Sequence, residues 1–384
     1  MHFQLTEEHK MIVQAARDFA RQQCLPGVIE RDEHQKFPRE QVMQLAELGF
    51  MGLMVDPAYG GAGMDTISYV LAMEEISKVD ASVSVCMSVN NSLVCWGLEA
   101  YGNDEQKQKY LVPLAQGRKD GELYIGAFLL SEPEAGSDAT SQRTTAEDKG
   151  DHYILNGTKN WITNGNSASV YLVMAQTDPA RGSKGITTFI VEKNWPGVTV
   201  GAKENKMGIR ASDTHSILFN DVKVPKENIV GEVGFGFTFA MKTLAGGRIG
   251  IAAQALGIAS GAYELALEYS KQRKAFGKEI MNHQAIQFKL ADMATRVEAA
   301  RLLCLRSAWE KDSGIDYTLS SSMAKVFASE AAMWIATEAV QVHGGYGYVK
   351  EYHVERLMRD AKITQIYEGT SEVQRIVIGR QILK

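Results

Sequence analysis

The sequence predicts an α+β protein built as three consecutive parts: helical, then β, then a bundle of long helices. Three observations carry this. Apolar residues recur at helical spacing through the first 120 residues. From about Gly121 to Pro225 the segments become short, β-branched and punctuated by turn residues. From about Phe235 onward, long helical patterns return with only short breaks. The domains expected are therefore residues 1–120, 121–230 and 231–384. The chain has 384 residues, 45% hydrophobic and 23% charged, enough length and apolar content for two or three domains with a sizeable core.

In the first part, Thr6 reads as an N-cap, with Glu7 and Glu8 in the first turn and Ile12, Ala15, Ala16 and Phe19 on one face. Pro26 ends that helix, Pro38 starts the next, and Gly49 closes it as a left-handed cap. Gly60, Gly61 and Gly63 mark a loop. Helical patterning resumes over about Thr66–Lys78, and Asn103 or Asp104 caps a helix to about Gln116. The small-residue-rich stretch between them gives no assignment. In the middle part, two β-branched runs flank Asn156-Gly157, a strong hairpin signal. Val170–Ala175, Ile186–Val191 and Ser216–Val222 read as further strands. In the last part the helical patterns run over about Phe235–Arg273, Gln284–Lys311 and Thr318–His343. Such lengths and short breaks favour an antiparallel bundle, with a cleft where the β domain meets it.

The totals also exclude classes of partner. The net charge of -5 gives no electrostatic case for nucleic acid or an anionic membrane. Cys24, Cys86, Cys95 and Cys304 are scattered, which suits reduced thiols rather than a disulfide frame, and no residues are spaced for a metal site. No apolar run reaches the eighteen or so residues needed to span a bilayer, so no membrane insertion is expected. Met1 to Leu5 lack an apolar signal core and an Arg-rich transit pattern. The expected location is cytoplasmic, or the mitochondrial matrix if a presequence has been removed.

Several stretches could carry chemistry. Near the end, Gln365 to Glu372 places Glu368 between Tyr367 and Gly369. A carboxylate held there against apolar surroundings has a raised pKa and makes a better base near neutral pH. The same residues also suit a solvated loop before a helix capped by Thr370. Phe128 to Asp138 joins an apolar strand to a polar turn. Its backbone, with Ser131 and Ser137, could bond a heteroaromatic ring or a phosphoester, or simply satisfy itself. Trp161 and Thr163 lie two apart on a strand, one ring and one hydroxyl on the same side. A half-buried Trp beside a β-favouring Thr fits equally well. Arg248 and Arg273 are possible phosphate partners, as surface arginines also are. Gln341 to Tyr348 could cradle a pyrophosphate or end a helix in glycine caps. No GxGxxG follows a strand and opens a helix, and no GxSxG or P-loop occurs.

Together these stretches resemble the acyl-CoA dehydrogenase family over essentially the whole chain. Leu130-Ser131-Glu132 with Ala135-Gly136-Ser137-Asp138 looks like one family signature. Gln341, Gly344-Gly345, Gly347-Tyr348, Glu351, Arg356 and Asp360 look like a second. Tyr59-Gly60-Gly61, Lys206 to Arg210, and Arg273 with Phe276-Gly277 also match.

The resemblance implies an N-terminal α-helical domain, a β-barrel-like middle domain and a C-terminal four-helix bundle. It also implies one FAD per subunit and a homotetramer. On that likeness Phe128, Leu130, Ser131, Trp161 and Thr163 line the flavin ring. Arg273, Phe276, Gln284, Gln341, Val342, His343, Gly344 and Gly345 hold the diphosphate and adenosine, largely of a neighbouring subunit's FAD. Thr370 and Glu372 complete the FAD site. Ser137, Arg248 and Gly369 contact acyl-CoA, and Glu368 stands where straight-chain members keep their base. The activity implied is FAD-dependent α,β-dehydrogenation of an acyl-CoA to a trans-2-enoyl-CoA, with an electron-transfer flavoprotein as acceptor.

Branched- and long-chain-type members carry their base beside the arginine matching Arg248; here that neighbour is Gly247. Glutaryl-type members have an arginine near the end of the acyl pocket, and Ala81 to Leu93 holds none. The run from Thr243 to Ala252 looks most like short-chain, butyryl-type enzymes, although Ala245 stands where those often have Asp. The alternatives are a medium- or branched-chain dehydrogenase, a flavin oxidase or monooxygenase of the same fold, and a non-catalytic scaffold.

Overall fold

The computed structural model describes residues 4–384. The reading of Met1, His2 and Phe3 as neither signal nor transit sequence lies outside the described residues. In the N-terminal part, Thr6 caps helix Glu7–Phe19 by accepting from the His9 N–H, and the His9 side chain returns the bond to the Thr6 N–H. Gly49 follows helix Arg39–Glu47 with φ +77°, as a left-handed cap requires. Helix Thr66–Ser77 matches its pattern, and Asn103 caps the turn that begins the run to Gln116.

The unassigned stretch is a helix: Ala81–Ser88 continues through a π turn, Val89–Cys95, into Trp96–Tyr101. Every residue from Ala81 to Cys95 is buried. A helix enclosed on all sides has no polar face, so its sequence carries no 3.6-residue alternation to read. This helix and Gly236–Gln272 are both long and apolar enough to cross a membrane, with 94% and 83% of their most apolar windows buried inside the protein. That corrects the expectation that no segment reaches such a length; counting uninterrupted apolar runs overlooked helices with a few interspersed polar residues.

In the middle part, strands Ile229–Val230, Ile186–Glu192, Val170–Gln176 and Gly126–Leu129 lie side by side. Thr145–Asp148, His152–Thr163, Thr214–Pro225 and Val198–Lys203 form a second row. The two rows join in one sheet at a single pair, Thr145 with Gln176. The Asn156-Gly157 hairpin does not exist. His152–Thr163 is one twelve-residue strand with irregular register at Leu155/Gly157 and again at Lys159/Ile162. A Cβ on Gly157 would sit 2.5 Å from Thr144 Oγ1, so the glycine serves close approach of a neighbouring chain rather than a turn. The chain instead reverses at Gly150, φ +96°, where the Lys149 N–H donates to His152 O at 2.8 Å.

The C-terminal helices are Gly236–Gln272, Gln284–Asp312, Thr318–His343 and His353–Thr364, followed by Ser371–Ile382. Gly236–Gln272 packs against Thr66–Ser77 as well as against its bundle neighbours. The middle domain is pinned to the bundle by a backbone contact: Gly208 lies so close to Arg359 O that a side chain there would collide. Beside it the Ile209 N–H donates to the buried Asp360 carboxylate at 2.5 Å, and Arg356 pairs with the same carboxylate at 3.1 Å. These contacts fix the β domain against helix His353–Thr364, which leads into the loop that carries Glu368.

Candidate active site

Six residues separate helix His353–Thr364 from Ser371–Ile382, with Glu368 in the corner between them. Thr370 caps the second helix, accepting from the Val373 N–H at 3.2 Å. Glu368 has φ +52° and Gly369 φ +93°. Glycine adopts that conformation freely, whereas a residue with a Cβ gives up about 1–2 kcal/mol there. Surrounding hydrogen bonds hold the strained corner. Gln374 Nε2 donates to Glu368 O and to Gly369 O, both at 3.1 Å. Lys325 Nζ donates to Gly369 O at 2.8 Å. Before the corner, the Tyr367 hydroxyl bonds the buried Gln254 side chain.

This corner aims the Glu368 carboxylate at helix Gly236–Gln272. It meets that helix at Gly247, where any side chain would collide with Glu368 Oε2 and come within 2.8 Å of Leu93 Cδ2. Oε2 is enclosed and has no hydrogen-bond partner, and neither has Nε of the neighbouring Arg248. Arg248 is buried, its Nη1 reaching Ser322 Oγ at 3.4 Å. Burial raises the Glu368 carboxyl to about 7; the positive charges of Lys325 and Arg248 hold it from rising further. One helical turn from Gly247, a Cβ on Gly250 would lie 2.5 Å from Tyr69 Oη and 2.7 Å from Ser88 Oγ. Those two hydroxyls bond each other at 2.9 Å and close the space on that side.

The flavin-facing residues expected from sequence sit on two neighbouring strand ends, Phe128 to Ser131 on one and Trp161 with Thr163 on the other. Strand Gly126–Leu129 carries Phe128, whose ring stacks at 6.4 Å on Phe239 of the long helix, and leads into Leu130 and Ser131. Ser131 O accepts from the Asn160 N–H at 2.9 Å, tying this strand end to the one that bears Trp161 and Thr163. Trp161 has φ +61° and is 58% exposed, while Ile162 beside it is buried. Such an outward aromatic at a sheet irregularity is a side chain re-aimed by the backbone. Below it, Lys159 is wholly buried and donates to Leu130 O, Glu132 and Gln142.

A third group gathers at the far end of the bundle. Arg273, Val342, His343, Gly344 and Gly345 line one cavity with Tyr269, Tyr346 and Val349. The His343 ring stacks on Tyr269 at 4.2 Å, and the Arg273 guanidinium lies 5.6 Å over the Tyr346 ring. Space is open where Cβ atoms would be at Gly344 and Gly345. A cation, exposed glycine backbone and aromatic walls are the donor set that a diphosphate with an attached ring requires. Phe276, Gln284 and Gln341 are exposed and stand outside that cavity, Phe276 being 97% accessible. Ser137 and Glu372 are likewise exposed. Among the described residues no group of three His, Cys, Asp or Glu is arranged to hold a metal ion.

The structure therefore joins Glu368, Gly369 and Arg248 in one enclosed spot. It also adds residues that the sequence reading did not single out: Lys325, Gln374, Gln254, Tyr69 and Ser88. Lys325 had a readable signal, since it falls on the buried stripe shared by Ser321, Ala328 and Ala332, where a lysine is out of place.

Comparison with known proteins covers the same ground. Residues 6–118, 127–222 and 234–383 match the models for "Acyl-CoA dehydrogenase, N-terminal domain", "middle domain" and "C-terminal domain". The "Acyl-CoA dehydrogenase, short-chain specific" of Clostridium acetobutylicum is 48% identical over 384 residues, the whole of both chains. The structure of butyryl-CoA dehydrogenase from Megasphaera elsdenii is 49% identical and superposes with TM-score 0.97 over all of both chains. A chain solved with the electron transferring flavoprotein work on Acidaminococcus fermentans is 50% identical, with TM-score 0.98 over all of both chains.

Proposed function

The chain belongs to the acyl-CoA dehydrogenase family, and on that premise we propose that it oxidises short-chain acyl-CoA thioesters with Glu368 as the base. One observation carries the assignment of the base: the enclosed, unpartnered Glu368 carboxylate at the side-chain-free face of Gly247. The proton α to a thioester is weakly acidic, so its removal needs a base matched to neutral pH and a donor for the oxygen that gathers charge. Glu368, raised to about 7, is such a base. Its own backbone N–H makes no hydrogen bond among the described residues and is free to meet the thioester oxygen. The left-handed corner is what turns carboxylate and N–H toward one cleft. The α-proton goes to Glu368, the β-hydrogen leaves with its electron pair, and a carbon–carbon double bond remains.

Trp161 and Thr163 would hold a flavin ring, which would supply the hydride-accepting capacity that the β-hydrogen requires. FAD is the form that suits the chain, because Arg273 and the Val342–Gly345 backbone offer a place for a diphosphate. Phe276, Gln284 and Gln341 would join Arg273 and Val342–Gly345 in holding that diphosphate and adenosine, largely of a neighbouring subunit's FAD. A homo-oligomer is supported by Phe288, Leu302 and Trp309, apolar side chains exposed at multiples of seven residues along one helix. An electron-transfer flavoprotein is the inferred acceptor, given the solved neighbour at TM-score 0.98.

The short-chain preference is supported by the hydroxyl pair of Tyr69 and Ser88 that closes the space beside Gly250. Gly247 and Gly250 are three residues apart, so the hydroxyl pair at Tyr69 and Ser88 lies about 4.5 Å along the helix axis from the base. That is room for only a few methylenes. An anaerobic titration of the flavin-loaded protein with acyl-CoAs of increasing length, read by flavin absorbance, tests both parts. Butyryl-CoA should bleach the flavin, with weakening beyond about eight carbons. Glu368→Gln should keep its flavin and lose roughly 10³-fold or more in reduction rate. Bleaching by long chains alone would overturn the length preference; bleaching undiminished in Glu368→Gln would overturn the base.

A further inference from the structure

Lys325 is buried to 0% exposure in helix Thr318–His343. Its sole hydrogen-bond acceptor among the described residues is Gly369 O, at 2.8 Å, and no carboxylate there comes within ion-pair distance. Burying an ammonium this way is costly, because one carbonyl replaces little of the water it lost. The favourable elements left are the negative charges of Glu368, the stronger influence, and of Glu372. The Glu368 carboxylate, in turn, has an oxygen with no partner. The Lys325 and Glu368 charges therefore support each other across a short gap rather than through a bond.

We propose that Lys325 is a positioning residue of this site, clamping the Gly369 carbonyl so that the left-handed corner holds Glu368 on target, and supplying the charge that lets Glu368 ionise there. The proposal rests on Glu368 being the base. Gln374 also bonds the corner, but it is neutral and can only shape it. Arg248 is charged, yet its guanidinium reaches Ser322 and bonds no atom of the corner. Lys325 alone both touches the turn and carries charge. Loss of its charge should push the Glu368 carboxyl higher still, since burial is the chief cause of its rise and Lys325 the first influence opposing it.

The groups that bear on Glu368 come from every side. Arg248 faces it from helix Gly236–Gln272, Lys325 from Thr318–His343, Tyr69 from Thr66–Ser77 and Tyr367 from its own loop. Behind these, Tyr317 acts on Arg248, Glu372 on Lys325, and Asp360 on Tyr367. The two tyrosines are held neutral by burial, so only Lys325 and Arg248 lower the carboxyl.

The test uses flavin-loaded wild type, Lys325→Met, Lys325→Arg and Gln374→Ala. Flavin reduction by butyryl-CoA is followed against pH, and the Glu368 carboxyl is titrated by infrared difference spectra assigned through Glu368→Gln. Lys325→Met should retain flavin, slow about 100-fold, and shift both the acid limb and the infrared midpoint upward by about one pH unit or more. Lys325→Arg should slow as well but keep the wild-type midpoint. Gln374→Ala, which loosens the corner without removing charge, should slow with no shift. A midpoint unmoved in Lys325→Met, or moved equally in Gln374→Ala, overturns the proposal. Should Lys325→Met fail to fold, Lys325→Gln is read in the same way. If no acyl-CoA reduces the wild-type flavin, the functional reading fails, and the infrared midpoint still decides what Lys325 does.

Discussion

In the middle domain Lys159 and Glu132 meet at 2.8 Å, while in the bundle Lys325 and Glu368 stand side by side without an ion pair. Both lysines are wholly buried. Around Glu132 every need is met: it accepts from the Arg143 N–H at 2.6 Å, from the Thr144 N–H at 3.0 Å and from Lys159. Those bonds overcome its burial and hold its carboxyl below the usual value. Around Glu368 the balance is reversed, with an orphan oxygen, a strained backbone and a carboxyl raised to about 7. Identical residue types thus yield a locked brace in one place and, in the other, a carboxyl held near neutrality that suits the base proposed above. The two carboxylates differ in the donors aimed at them, three at Glu132 and none at Glu368 Oε2, on top of the burial that raises Glu368.

The brace should be the more expensive to break. Lys159→Met leaves the Glu132 carboxylate buried without its cation, and removing one partner of such a pair typically costs about 3–5 kcal/mol. Denaturant unfolding should show that loss, and replacing Glu132 by Gln in the same chain should recover part of it. Because Lys159 also holds Leu130 O and Gln142, flavin should be retained less well in the variant. A Lys159→Met protein as stable as wild type would remove the distinction between the two sites.

The next test acts on the base without touching a charge. Gly247→Ala places a methyl against Glu368 Oε2 and Leu93 Cδ2. Alanine is the better helix former by about 1 kcal/mol, so the fold should not suffer. The carboxylate tip must move instead, and a displacement of about 1 Å at a reacting group costs roughly 100-fold in rate. The outcome to look for is a slow enzyme with unchanged or raised thermal stability. A slow enzyme that is also unstable would mean the methyl disrupts the helix packing, and the geometric argument would fall.

How far the sequence reveals these two sites differs for a physical reason. Long helices with one wet face were legible almost to the residue: Gln284–Lys311 was expected and Gln284–Asp312 is present. The helix through Ala81–Tyr101 was not, since burial on all sides removes the pattern. Asn156-Gly157 misled because the local turn preference yielded to strand pairing along His152–Thr163. Glu368 could be picked out by its neighbours in sequence and by family likeness. Its orphan oxygen and its dependence on Lys325, 43 positions earlier, are products of packing between helices. Local sequence holds no trace of that distance, apart from a lysine on a stripe of alanines and serines.

The smallest effect is also the one that reads desolvation most directly. Glu368 is raised from 4.5 to about 7 in the folded chain, so the folded state binds its proton more tightly than the unfolded state does. Below about pH 4.5 the carboxyl is protonated in both states and costs nothing. Between about 4.5 and 7 the unfolded chain releases the proton first, and folding stability falls as pH rises. Above 7 the cost is complete, about 1–3 kcal/mol for a carboxyl whose tip is enclosed. Glu368→Gln never ionises. At matched flavin occupancy it should therefore equal wild type near pH 4.5, draw ahead through neutrality and hold a constant lead above pH 8. Glu132→Gln should do the opposite, because that carboxylate is stabilised by the Lys159 ammonium and two backbone N–H donors, and its loss should hurt most at neutral pH. Two curves of opposite sign would establish that the bonded Glu132 carboxylate and the orphaned Glu368 carboxylate contribute oppositely to stability; two curves of the same sign would remove the distinction between the two sites.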